Sequence, residues 1–358
     1  MSKTGFDYAP SGETKPVVEK GEFVFATAYL DHGHIYGQTN GLLEAGGVCK
    51  WVYDSDPQKI ESYLKKFPGI SVADSYEQIL DDQEILLVNA AAIPNKRYEV
   101  GEKAMRAGKD YFTDKSPFTT LEQLERAKKL VKETHKKYMV YFSERLHTEA
   151  GWHAGELISQ DLIGDVLQVL IIAPHRLSKS ARPDWFFDKE AYGGILTDIG
   201  SHQFEQFLTY AGVEDAVVKY ARVANFGNPD KPGLEDFGEA QLITSTGSSC
   251  YCRVDWWTPD GMPIWGDGRT FVLGTKGTLE VRKYLDIAQS GNPGQRIYLT
   301  TDHEPKMIEC EGKVGYPFFG ELILDLLNRT EKAMTQEHVF KAAELSLMAQ
   351  EIADSYKD

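Results

Sequence analysis

Strand-like and helix-like segments alternate through the first 145 or so residues, and nothing else in the chain limits its fold as strongly. EFVFATAY, from residue 22, reads as a buried strand; the loop LDHGH and a helical stretch to about Gly46 follow. GVCKWVY is a second strand that ends at Asp54, and DPQKIESYLKKF is helical with Pro57 in its first turn. SVADSYEQIL gives a short strand and a short helix, and EILLVNAA is an apolar β-prone run. PNKRYEVGEKAMRAG is helical, with Pro94 near its start and Gly108 at its C-cap. After the strand DYFTDK, Thr120 and Gln123 form a capping box for the helix LEQLERAKKLVKETH, and KYMVYFSERL is a sixth strand with its exit. Such alternation requires a parallel sheet with right-handed crossovers. Ligands then bind at the carboxyl ends of the strands. Here those ends fall at Tyr29 to His34, Asp54, Ala91 to Asn95, Asp114 to Pro117 and Ser143 to Arg145.

From about residue 147 the pattern changes. A helix leads into the long strand DVLQVLIIAPHRL. A loop carrying His175, Arg176, Arg182, Asp184 and Trp185 follows, side chains able to grip a polar ligand. Then comes AYGGILTDIGSH. If a helix starts near Leu196, Asp198 and His202 stand at i and i+4 on one face. The paired glycines let the backbone approach a ligand or another segment. An acid beside a histidine is what general-base chemistry needs; a helix start whose Asp caps and whose His packs would give the same pattern. Six strand-like runs follow, two of them joined by the hairpin turn GTKG, and imply an open, mostly antiparallel sheet. Two helices close the chain, the first able to pack back on the first half. The expected class is therefore α/β plus α+β. A polar arm covers 1–21, a doubly wound parallel sheet of the dinucleotide-binding (Rossmann) type covers 22–146, and an open-sheet domain covers 147–358.

Composition removes several partners. A formal net charge of −15 disfavours nucleic acid and anionic membrane surfaces. No run of about twenty apolar residues is present to span a bilayer. The N-terminal stretch has no apolar core of a signal peptide and reads as a polar arm or tail, placed to lie on a neighbouring subunit. The four cysteines show no zinc-site spacing and read as reduced packing residues of a cytoplasmic protein.

The end of the first strand is unusual. Tyr29 and Asp31 stand where a dinucleotide loop G-x-G-x-x-G has glycine, leaving only Gly33 and Gly37. A carboxylate beside a pyrophosphate is unfavourable unless it points away, so either the loop is reshaped or nucleotide binding is weakened. Asp54 lies about 20 residues further on, where such folds place the acid that takes the ribose hydroxyls of NAD and repels the 2′-phosphate of NADP. A plain turn Asp that N-caps DPQK accounts for it equally simply. Asp31, His32 and His34 also have the chemistry of metal ligands, but no spaced second cluster supports them, and no metal is expected.

D-K-x-P after the fifth strand, G-G-x-x-x-D-x-G-x-H about 85 residues later and the open sheet beyond resemble the Gfo/Idh/MocA (glucose-fructose oxidoreductase and inositol dehydrogenase) family. The resemblance covers nearly the whole chain after residue 22. It implies that Lys115 is the catalytic lysine of the family's E-K-P motif, with Asp114 for the glutamate and the proline moved to Pro117. It implies Asp198 and His202 as the family's Asp and His. Pro94 and Asn95 match its loop after the fourth strand, with Tyr98 replacing the usual histidine, and Arg145 its arginine after the sixth. The cofactor-binding set is then Leu30, His32, Gly33, His34, Asp54, Ala91, Pro94, Asn95, Asp114, Lys115 and Arg145, with NAD favoured over NADP.

The chemistry is coherent on its own terms. Oxidising a secondary alcohol moves a hydride from carbon and a proton from oxygen. His202 can take the proton, Asp198 can orient or stabilise the ring, and Lys115 can stabilise the alkoxide, with all three expected to face the cleft between the domains. The resemblance implies a sugar, sugar derivative or cyclitol. His175, Arg176 and Trp185, with Asp198 and His202, are the substrate-side candidates, and Trp265, Asp267 and Arg269 a further set; each of these aromatic residues can equally be core. Two other activities fit the same residues. One is a glycosidase or lyase that oxidises its sugar transiently and takes the hydride back from tightly held NAD. The other is a non-catalytic sugar sensor. The open sheet leaves a flat face to cover, which predicts a homodimer or homotetramer.

Overall fold

Six strands of the first half form one sheet: β1 (Val24–Ala28), β2 (Val48–Tyr53), β3 (Ser71–Val72), β4 (Leu87–Ala90), β5 (Asp110–Asp114) and β6 (Tyr138–Tyr141). Their order is β3-β2-β1-β4-β5-β6, and every pair is parallel. The order reverses between β1 and β4, and doubly wound sheets bind their ligands at such a reversal. In this computed structural model, which describes residues 9, 10, 12 and 15–356, the sheet belongs to a unit made of the described part of 6–141 together with 316–339. A second unit holds 142–315 and the described residues from 340 onward. Among the described residues no helix is long and apolar enough to cross a membrane.

The first unit's core is apolar with one polar knot. Ile35, Val52, Tyr63, Phe67 and Ala91 pack together. Beside them Asn89 on β4 donates to Thr27 and Thr39, and accepts from Gln38 at 2.8 Å. The Tyr63 hydroxyl reaches Thr27 and Thr39 at 3.0 and 2.9 Å. These bonds tie helix His34–Glu44 to the sheet, while the buried Gln38 Oε1 is left without a hydrogen-bond partner. Gly41 on that helix has no room for a side chain: a Cβ there would lie 2.3 Å from the Phe319 ring. Most of the expected polar arm falls outside the described residues. Those described hold to their own chain, with the Val17 amide on the Ala45 carbonyl and the Asn40 side chain on the Pro10 carbonyl.

In the second unit, eight strands make one sheet: β7 (Val166–Pro174), β8 (Val217–Ala224), β9 (Phe237–Ile243), β10 (Ser249–Asp255), β11 (Arg269–Gly274), β12 (Gly277–Arg282), β13 (Arg296–Thr301) and β14 (Pro305–Glu309). The order is β14-β13-β12-β11-β7-β10-β9-β8, antiparallel except for β7 with β10. Strand β14 was not foreseen; its burial pattern is almost wholly exposed, so it carries no inward-facing apolar period. Cys250, Cys252 and Val254 point to the side covered by helices Glu149–Ser159 and Gly200–Ala211, and all four cysteines are free and buried. One transverse row on the other face reads Arg222, Glu239, Arg253, Ile172, Arg269, Arg282, Arg296, Glu309, in register across all eight strands. Each arginine has a carboxylate in reach, from 2.6 Å for Arg282 and Asp286 to 3.8 Å for Arg222 and Glu239.

Candidate active site

The loop after β1 keeps the backbone of a glycine turn without the glycine. Tyr29 sits at φ +56°, the left-handed region that glycine enters most readily. Its ring packs edge-on against Tyr53 and Tyr76, and burial, with Tyr53 adding, raises its hydroxyl to about 12. Asp31 turns onto Lys59 at 2.5 Å, so its charge is matched by an ammonium from the helix after β2. Asp54 is buried at the end of β2; its carboxylate accepts the Leu30 amide at 2.7 Å and the Asp56 amide at 2.8 Å. The N-cap of the following helix is Asp56, not Asp54. The Ala91 amide donates to Tyr29 and its carbonyl accepts from His32, which ties the end of β4 to the loop. Gly33 precedes helix His34–Glu44 and offers no side-chain cap; the His34 amide instead meets His32 Nδ1 at 3.2 Å.

Asp114 is fully buried at the end of β5 and gathers three side chains, His32 Nδ1 at 3.0 Å, His34 Nδ1 at 2.8 Å and the Arg97 guanidinium at 3.2 Å, and accepts the Lys115 amide at 2.8 Å. Burial opposes its charge, but His34, His32 and Arg97 hold its carboxyl well below the usual range. Burial in turn lowers the His32 ring to about 4, although Asp114 pulls the other way. The ligand atoms of His32, His34 and Asp114 lie within 4.8 Å of one another, close enough to share a cation. Arg97 already supplies positive charge there, and the His34 amide points at His32 Nδ1. No local pattern announces that Asp114, 80 positions beyond His34, joins the two histidines. Lys115 follows Asp114 and is buried; its peptide bond to Ser116 is cis. Pro94 opens a single 3₁₀ turn, and the Asn95 carbonyl accepts the Gln123 side chain. Gln123 completes only half of the expected box: its amide takes Thr120 Oγ1, but its side chain accepts the Thr119 amide.

In the second unit the stretch from residue 193 folds as two helices rather than one. Ile195–Asp198 makes a single turn and Gly200–Ala211 a separate helix, joined by a tightened step from the His202 amide to the Ile199 carbonyl. Asp198 ends the first helix and His202 lies in the first turn of the second, both buried, and Ile199 between them keeps right-handed helical dihedrals. The paired glycines serve another segment of the chain: a Cβ on Gly194 would meet the Gln350 side chain at 2.3 Å. Gln350 and Glu235 accept the Leu196 and Ile195 amides and so cap the short helix.

The substrate-side candidates divide. His175 packs edge-on against Trp256 and tilted against Trp265, its Nδ1 is 3.2 Å from the Ala173 carbonyl, and its Nε2 is 3.5 Å from Glu144. Arg176 braces the 260–264 segment through Asp260, Met262 and Ile264. Trp185 is half-buried against Phe186, Trp265 is buried, and Asp267 pairs with Arg269. Arg182 lies over Phe186 and Trp256; burial lowers its guanidinium to about 10, and the Asp198 carboxylate pulls it back. Arg145 is occupied by the buried Glu205 carboxylate at 2.5 and 2.7 Å. Glu144 and Lys283, both buried and 2.9 Å apart, were missed, because a lone Glu in SERL and a lone Lys in VRKY carry no motif.

Two family models match the chain: "Oxidoreductase family, NAD-binding Rossmann fold" over residues 32–142 and "GFO/IDH/MocA C-terminal domain" over 152–280. The chain belongs to the Gfo/Idh/MocA oxidoreductase family. A crystal structure from Erwinia carotovora atroseptica SCRI1043, whose oxidoreductase designation is provisional, is 42% identical. Its TM-score is 0.90, and the match covers 93% of this chain and 99% of that one. The scyllo-inositol 2-dehydrogenase (NADP(+)) IolW of Bacillus subtilis (strain 168) is 26% identical over 53% of each chain. A levoglucosan dehydrogenase, solved with NADH and levoglucosan, has the same fold at 16% identity and TM-score 0.76, over 93% of this chain and 97% of that one. As a Gfo/Idh/MocA protein, the chain carries the family's NAD-binding Rossmann domain in its first half.

Proposed function

We propose that this protein oxidises a secondary alcohol, or reduces the matching ketone, of a sugar, sugar derivative or cyclitol, with NAD in preference to NADP. The observation that carries the proposal is the loop after β1. Tyr29 keeps the glycine-like turn, Asp31 is matched by Lys59, and Asp54 grips the Leu30 amide, so the loop is reshaped without placing an uncompensated carboxylate beside a pyrophosphate. The residues fit a dinucleotide. Leu30, His32, Gly33, His34, Ala91, Pro94, Asn95 and Asp114 line the strand ends on either side of the order reversal, and Asp54 ends β2. Each Asp54 oxygen has a second lone pair beyond its backbone bond and can still accept a ribose hydroxyl. Its charge disfavours a 2′-phosphate. Of the cofactor set, Arg145 is the exception, since Glu205 already neutralises it.

When bound, the nicotinamide supplies the hydride acceptor. Within the chain, His202 takes the hydroxyl proton, Asp198 steadies it and Lys115 stabilises the alkoxide. The IolW and levoglucosan dehydrogenase names support a polyol or sugar as substrate. A second copy of the chain covers the open sheet face, where Tyr220, Phe271 and Leu273 are exposed beside the arginine row. A dimer or tetramer by light scattering is expected.

Calorimetric titration with NAD⁺ and with NADP⁺, on protein checked by denaturation for retained nucleotide, tests the reading. Preferential NAD⁺ binding followed by NADH formation with a polyol supports it. No binding of either, with none retained, overturns it. Sugar conversion without NADH accumulation would point instead to transient oxidation with net elimination or hydrolysis.

A further inference from the structure

Asp54 accounts for a preference for NAD only if nothing beside it offers a cation, and the structure puts one there. Lys59 Nζ lies 3.8 Å from Asp54 Oδ1, close enough to sense its charge and too far for a hydrogen bond. A partly exposed lysine beside the end of β2 is the kind of group that a 2′-phosphate needs. The helix that carries Lys59 gives no reason for it. It stands in the first turn of helix Pro57–Lys66, where Asp56 already caps the Gln58 amide, and a cation there opposes the helix dipole.

What engages Lys59 is Asp31. Asp31 Oδ1 accepts the ammonium at 2.5 Å, across 28 positions of sequence. Burial works against the Lys59 charge, but Asp31 first, then Asp54 and Asp56, raise its hold on the proton above that of an ordinary lysine, so the ammonium stays charged. Asp31 itself stands where a dinucleotide loop has its second glycine, the position at which the backbone approaches the pyrophosphate. The two charges are therefore committed to each other. Were Lys59 to turn to a 2′-phosphate, Asp31 would be stranded beside the pyrophosphate; while Lys59 stays on Asp31, it lends a 2′-phosphate little.

We propose that Asp31 is a specificity residue: by holding Lys59 it withholds the cation that a 2′-phosphate requires, and so lets the Asp54 charge exclude NADP. A carboxylate that looks misplaced in a nucleotide loop then sets which nucleotide the loop takes. This role rests on the reading that the loop binds a dinucleotide and concerns the choice between two of them.

Calorimetric titration of four nucleotide-free proteins with NAD⁺ and with NADP⁺ tests it: the parent, Asp31→Asn, Lys59→Met and the double variant. The quantity read is the ratio of the two dissociation constants, which cancels any effect common to both nucleotides. In Asp31→Asn the preference for NAD⁺ is expected to fall about tenfold through tighter NADP⁺ binding, the worth of one charge-assisted hydrogen bond. Lys59→Met should change the ratio by about threefold at most in the parent background, where the ammonium is spent, and by about tenfold in the Asp31→Asn background. Equal effects in the two backgrounds overturn the proposal, because Lys59 then acts independently of Asp31. So does a folded Asp31→Asn protein whose ratio matches the parent's. A tenfold change in Lys59→Met alone overturns it by itself, whether or not the asparagine variant folds. Any of these results in a parent that binds NAD⁺ removes the role of Asp31 and leaves the functional reading intact; failure of all four proteins to bind either nucleotide overturns both.

Discussion

Asp54 and Leu30, at the ends of neighbouring strands, are joined by a 2.7 Å bond from the Leu30 amide to the Asp54 carboxylate. The acid proposed to select the cofactor is thus also the clamp on the loop that would carry it. Asp54→Ala should therefore do two things at once. It should weaken NAD⁺ binding at least tenfold by calorimetry. It should also lower stability by about 1–3 kcal/mol, since the Leu30 and Asp56 amides lose their acceptor. A loss of affinity with an unchanged urea midpoint would mean that the clamp contributes nothing.

Acid should destabilise the first unit through His32. Its ring is held at about 4 by burial, with Asp114 opposing and His34 and Lys115 adding to the depression; an unfolded histidine titrates near 6.5. Between those values the unfolded chain binds more protons than the folded one, so stability is full above about pH 6.5 and falls as pH drops toward 4. The loss attributable to this group is about 2–3 kcal/mol. Asp114, depressed well below 3.8, adds a further loss only below its unfolded value. Urea midpoints from pH 7.5 to 4 should slope less in His32→Asn than in the parent, and equal slopes would refute the assignment.

Gly41→Ala places a methyl group 2.3 Å from the Phe319 ring, closer than contact permits. Overpacking of this kind costs about 1–3 kcal/mol. Thermal denaturation should show that loss, and a smaller partner in Phe319→Leu should recover part of it.

The alternation of strands and helices made the parallel sheet legible, because buried strands and amphipathic helices have different periods. The open sheet was legible for the same reason, apart from β14, which buries almost nothing, and the parallel pairing of β7 with β10. What failed to show was anything set by distant partners. Tyr29 looked like a lost glycine, yet its backbone kept the turn. Gly194 left open a ligand or another chain segment, and the neighbour proved to be Gln350, 156 positions on. Arg176 looked like a ligand grip and braces a loop. Glu144 and Lys283 meet across 139 positions with no local pattern to announce them.

Lys115→Ala should separate catalysis from binding. If this lysine stabilises a developing alkoxide, kcat falls by about 10²–10³ with NAD⁺ affinity changed little. A variant that keeps full turnover on the substrate found by screening would remove Lys115 from the chemistry and favour a sensing role.

The Glu144 and Lys283 pair should be visible in stability, and the pattern distinguishes a matched pair from two independent charges. Lys283→Met leaves a buried carboxylate beside the Gln203 side chain and His175, and breaking a buried pair from one side costs about 3–5 kcal/mol. Glu144→Gln keeps an acceptor for the ammonium and should cost less. The double variant removes both desolvated charges and should be more stable than Lys283→Met alone, because the stranded carboxylate is gone. Urea unfolding of the four proteins gives the coupling directly. Simple additivity would mean that the two charges are compensated by other groups and that their 2.9 Å contact is incidental to the fold.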